Sequence, residues 1–171
     1  MDPQMLIGQS STLGLPAPFW FIVLFKVLGF TLHFVPMSLW FTGIITAMIV
    51  ARMGGHGATL NRRLMNQMPL IISAGVNLGI VPLLFVQVAY YKVFYPATIL
   101  MAWPWISIIA LLCVAYYAVY VYAVGLRRGV PLNGITRASG WIAALLFIAI
   151  GYLFTAAFSL MADVGAWPEL Y

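Results

Sequence analysis

Acidic residues are almost absent from this chain. There are three in 171 positions, Asp2, Asp163 and Glu169, and all lie near the ends. Charge of either sign totals 6%, against about 25% in an ordinary soluble domain, so a water-soluble fold is excluded. With no Asp or Glu inside the apolar segments, nothing is available to deliver protons to a pumping or oxygen-reducing centre. Cysteine is nearly absent as well. Cys113 stands alone, which excludes a disulfide within the chain, a thiolate metal cage and the CxxCH attachment motif. Any haem would be held non-covalently. The sequence has no metal-ligand cluster, no nucleophile beside a base and no phosphate loop, so a complete enzyme is not expected. The first 18 residues show neither a basic n-region nor an A-x-A site. The first apolar segment is therefore expected to act as its own targeting signal.

What the chain has is hydrophobic surface, 64% of residues, with a mean hydropathy of +1.05. Six of the eight basic residues fall in two short stretches: Arg52, Arg62 and Arg63, then Arg127, Arg128 and Arg137. Short arginine-rich loops are what the positive-inside rule predicts for cytoplasmic connections. The net charge of +5 is explained by them, without a basic stripe or stacking platform for nucleic acid. The predicted fold is all-α: an antiparallel bundle of four transmembrane helices in one domain, residues 1–171. The helices are placed at about 19–51, 61–91, 97–126 and 138–161. The connections are a glycine-rich loop at Arg52–Leu60, a very short turn around Phe94–Pro96, and the stretch Gly129–Thr136 with Pro131 and the turn pair Asn133–Gly134. Short connections make successive helices antiparallel neighbours. Both termini then face the outer, periplasmic side of a bacterial inner membrane. The tail Ala162–Tyr171 reads as an outer cap, with Trp167 in the interfacial aromatic belt. At about 1.5 Å per residue, the first helix is longer than a hydrocarbon core of roughly 30 Å. It must tilt, kink at Pro36 or project.

Few polar residues remain inside the membrane, and those are the functional candidates. His33 is the first, because imidazole is the usual axial ligand of a non-covalent haem. The alternative is a histidine hydrogen-bonded within the bundle. Met37 follows at i+4 and shares its face, so the two cannot ligate one iron from opposite sides. His56 reads as an exposed loop residue. Lys26 lies two turns before His33; it either snorkels to the interface or pairs with a haem propionate or quinone headgroup. On the second helix, Gly75 and Gly79 form a small-xxx-small face, and Ser73 and Asn77 can hydrogen-bond across helices. Pro82 frees the carbonyl of Leu78. Trp103, in the run Met101–Trp105, belongs to an aromatic belt or to a surface that docks a quinone ring or haem edge. Tyr116, Tyr117, Tyr120 and Tyr122 read first as belt residues.

The order of Leu32-His33-Phe34 with Pro36, then Gly75-Val76-Asn77-Leu78-Gly79, then Gln87, a short turn, and a long helix ending Gly125-Leu126-Arg127-Arg128-Gly129 resembles a known pattern. It is similar to the N-terminal four-helix half of the large subunit of cytochrome bd-type quinol oxidases, over about residues 20–160. The resemblance implies that His33 ligates a high-spin b-type haem. Pro36 follows His33 more closely than in the family pattern, and the family's acidic residues on the third helix have no counterpart. What is implied is a pared-down relative that retains one haem or none. There is also a looser likeness to small four-helix membrane partners of c-type cytochromes. The expectation is a membrane subunit of a bacterial respiratory electron-transfer complex. It would bind one haem b through His33 or border a quinone site, with Lys26, Met37, Asn77 and Trp103 around it, alongside other membrane subunits and a c-type cytochrome. The alternative is a haem-free structural or anchor subunit in which Gly75, Gly79 and Asn77 form subunit interfaces.

Overall fold

The computed structural model describes residues 3–128 and 132–170, so Asp2, Gly129, Pro131 and Tyr171 lie outside the described residues. All regular structure there is helical: α1 (Phe19–Val50), α2 (Gly55–Ala89), α3 (Tyr91–Leu100), α4 (Ala102–Arg127), α5 (Gly134–Ala162) and a short α6 (Trp167–Leu170). Two 3₁₀ turns, Pro3–Leu6 and Val164–Ala166, flank them. Four of these, α1, α2, α4 and α5, are long and apolar enough to cross a membrane. At about 48 Å by its residue count, α1 is continuous across Pro36.

The helix placed at 97–126 begins only at Ala102, after a separate α3 and a break at Met101, and three other boundaries differ from the sequence reading, each for a local reason. The first loop is shorter than Arg52–Leu60, because α2 already begins at Gly55. Gly54 takes φ +66 at the turn, a conformation that is cheap only without a Cβ. Gly57 then passes so close to the Val50 carbonyl that a Cβ would overlap it. The turn expected at Phe94–Pro96 is helix instead. Pro96 has no N–H for the carbonyl of Lys92, four residues back, and the N–H of Gly8 takes that carbonyl at 2.8 Å. A Cβ on Gly8 would sit 3.1 Å from the Lys92 Cα and carbonyl oxygen, so glycine is what permits the approach. Finally, α5 starts at Gly134 because the Asn133 side chain accepts from the Thr136 N–H at 2.7 Å, an N-cap rather than a free turn.

The buried and half-buried positions of α1 include the series 22, 26, 29, 33, 36, 40, 43 and 47, with Ile44 and Met48 buried beside it, and those of α2 include 61, 65, 68, 72, 75, 79, 82 and 86, with Pro69 buried beside it. Both series alternate steps of four and three, the spacing of a coiled-coil seam. Glycines on each helix receive a large group from the other. Pro82 sits on Gly29, with a Cβ there only 3.0 Å from the ring. The His33 ring lies on Gly79, the Trp40 ring on Gly75 and the Met68 methyl on Gly43. Positions rising along α1 therefore meet positions falling along α2. Small residues let two helix backbones approach where lipid provides no hydrophobic drive for association.

Toward the arginine-bearing ends a buried polar chain adds to the seam. Asn61 Nδ2 donates to the Ala47 carbonyl at 2.8 Å, and the Tyr122 hydroxyl donates to Asn61 Oδ1 at 3.3 Å. Asn61 and Tyr122 are 3% and 1% exposed, so the chain ties α1, α2 and α4 together away from water. Gly140 of α5 packs on Met48 and Tyr122. Tyr122 thus joins the main core rather than the aromatic belt. Asn61→Leu leaves the Tyr122 hydroxyl without its acceptor and removes the tie to the Ala47 carbonyl, which keeps only the Ala51 N–H. It is expected to cost about 1–3 kcal/mol, read as a lower unfolding midpoint in detergent, with Tyr122→Phe costing less.

The opposite end carries a separate small core. Ala97, Leu160 and Trp167 are buried there, with Leu6, Ile7, Val93, Leu100 and Met161 packed around them. The tail does cap this end, but Trp167 is not an interfacial belt residue. It is fully buried, and its indole N–H donates to the Leu160 carbonyl at 2.8 Å. Leu160 lies in the last turn of α5, where carbonyls lack helical partners.

Candidate functional site

His33 sits midway along α1, on the seam. Its Nδ1 lies 2.8 Å from the Gly75 carbonyl oxygen. A carbonyl only accepts, so Nδ1 carries the proton and the ring's Nε2 keeps its lone pair in the neutral form. One ring face rests on Gly79, where a Cβ would lie 2.8 Å from Nδ1 and Cε1. Trp40, two turns on, meets the imidazole edge-on with centroids 5.8 Å apart, and also packs against Phe147 of α5. The small residues of α2 therefore build a seat for an aromatic pair from α1. Gly75 and Gly79 face inward, onto Trp40 and His33. They are not available as a subunit interface.

The other candidates have different partners. Lys26 is half-buried, and its Nζ donates to the Tyr90 hydroxyl at 2.8 Å. Met37 is half-buried and packs on the main core. Asn77 is exposed, and its Nδ2 donates back to the Ser73 carbonyl of its own helix at 2.8 Å. Trp103 is 85% exposed on the outside of α4. His56 is exposed, as expected, but it lies in the first turn of α2 rather than in a loop.

A haem held by this chain would find one ligating nitrogen, Nε2 of His33. The Nδ1–H to Gly75 bond is the kind of second contact that orients a ligating imidazole. No group of three His, Cys, Asp or Glu side chains gathers among the described residues. His33 is thus the residue of the spanning stretch that would hold such a haem, through Nε2. Compared with family models, curated proteins and solved structures, the chain gives no match. The likeness to bd-type oxidases rests on the sequence motifs alone.

Sequence reasoning passed over Trp40, Asn61 and Tyr90. Trp40 was findable, since it lies seven residues from His33 and so on the same heptad face. Asn61 stands at the very start of the helix placed at 61–91, beside Arg62 and Arg63, and reads as a helix end until α2 is known to start at Gly55. Tyr90 reads as belt.

Proposed function

We propose that the chain is a structural, membrane-anchoring subunit of a bacterial respiratory electron-transfer complex. Its four spanning helices form an antiparallel bundle with the arginine loops in the cytoplasm. Both termini face the periplasm, where a c-type cytochrome is the expected partner. The observation that carries the subunit reading is Asn77. It lies within the apolar stretch of α2 and faces outward. Its one hydrogen bond among the described residues uses Nδ2, which leaves the amide oxygen without a hydrogen-bond partner among them. An unpaired amide there is costly, and a polar group on a neighbouring helix removes the cost. Asn61 on Ala47 and Tyr116 on Pro69, in contrast, are hydrogen-bonded within the chain, as is Nδ1 of His33 on Gly75.

Asn77→Leu tests this. Partner subunits are expected to be lost several-fold on co-purification, in line with an interhelical bond on the order of 1 kcal/mol. The chain's own unfolding midpoint should be unchanged. Full retention of partners by Asn77→Leu would sink the reading. A second reading, a haem b subunit, is favoured by the free Nε2 of His33. Its test is a reduced-minus-oxidised absorbance spectrum. A Soret band lost in His33→Ala supports it, and a flat spectrum from folded protein removes it.

A further inference from the structure

A groove of about 360 Å³ opens between α1, α2, α3 and α5 at the end opposite the arginine loops. Its walls are apolar, with Phe30, Val86, Val93 and Phe158 among them, and its polar side chains are Lys26 and Tyr90. Lys26 Nζ donates to the Tyr90 oxygen and lies 4.6 Å from the ring centroid. This arrangement spends one ammonium hydrogen and the phenol's acceptor role. The remaining ammonium hydrogens and the phenol hydrogen are left as donors, with a net positive charge and no carboxylate in the lining. No ion pair involving Lys26 occurs among the described residues.

Depth agrees with this chemistry. Lys26 lies about 10 Å along α1 from its start at Phe19, at about 1.5 Å per residue. Centring a hydrocarbon core of roughly 30 Å on the helix leaves about 9 Å beyond it at each end, which sets Lys26 at the boundary with the headgroups. We infer that this groove binds the phosphodiester of an anionic phospholipid, with an acyl chain lying along Phe30 and Phe158. A donor-only, cationic lining suits a group that only accepts and carries negative charge. A quinol, which must donate, finds no acceptor side chain free in the lining.

The experiment is native mass spectrometry of the delipidated full chain in detergent, titrated with dioleoylphosphatidylglycerol. Wild type is compared with Lys26→Gln, Lys26→Arg, Tyr90→Phe and Lys92→Gln. Lys92 bonds Ser10 outside the groove and serves as the control. The expected result is a drop in affinity of about fivefold for Lys26→Gln, a smaller drop for Tyr90→Phe, and retention in Lys26→Arg and Lys92→Gln. Equal affinity in wild type and Lys26→Gln would overturn the inference. So would displacement of the lipid by decylubiquinone or by inorganic phosphate at matched concentration, which would identify a quinone or a free-anion site instead. Lys26→Arg guards against misreading a folding defect as lost binding.

Discussion

Gly75→Leu is expected to separate α1 from α2 and produce the largest loss of stability of any single change on the seam. A Cβ at position 75 would already overlap the six-membered ring of Trp40, and leucine adds three further carbons. Trp40 is buried between Gly75 and Phe147, so it cannot swing away without opening the main core. Overpacking of ordinary cores costs about 1–3 kcal/mol. Here the clash is between a backbone position and a rigid bicyclic ring, so the cost belongs at or above the top of that range. The same change removes the close approach that brings the Gly75 carbonyl to His33 Nδ1. Thermal unfolding in detergent measures it. Gly151→Ala is the control, because a Cβ there meets only Phe41, at 4.0 Å. Pairing Gly75→Leu with Trp40→Ala is expected to recover part of the loss, because the second change empties the space the first one needs. Additive losses would show that the two positions do not share a contact.

Trp167→Ala is expected to release the cap over α3. Deleting a buried tryptophan costs about 3–5 kcal/mol, and Trp167 is the largest side chain in a core whose other buried members are Ala97 and Leu160. The change also removes the donor that satisfies the Leu160 carbonyl. The expected readout is faster amide hydrogen exchange over residues 5–17 and 163–170, with α1 and α2 unaffected. The N-terminal segment is included because Leu6 and Ile7 pack on the same cluster. Unchanged exchange in the N-terminal segment would mean that the Gly8–Lys92 bond and the Ser11 N–H to Tyr91 hydroxyl bond hold it alone. Trp167→Phe, which keeps most of the volume and loses the N–H, should fall between.

Hydropathy was enough to place four helices long and apolar enough to span a membrane, because apolar runs depend only on residue type. The start of α1 after Pro18 and the end of α4 at Arg127 followed from the same signals. What escaped were features in which a backbone atom is one partner. Gly75 offers His33 its carbonyl, Leu160 offers Trp167 its carbonyl, and Lys92 offers Gly8 its carbonyl. None of these acceptors has a residue-type signature. The paired glycines were recognised as a close-approach surface, but the sequence did not say which neighbour approaches. Only the burial of Trp40 and His33 on the facing seam assigns that surface to α1.

The two most extensive contacts in the molecule are α1 with α2 and α4 with α5. Each pair is joined by a connection of a few residues, 51–54 and 128–133. Closing so short a loop costs little chain entropy, and contacts between sequence neighbours form fastest. The molecule is thus built around two helical hairpins, α1 with α2 and α4 with α5. The Trp40–Gly75 seat lies within the first, so its two partners are brought together by a connection of only four residues, 51–54.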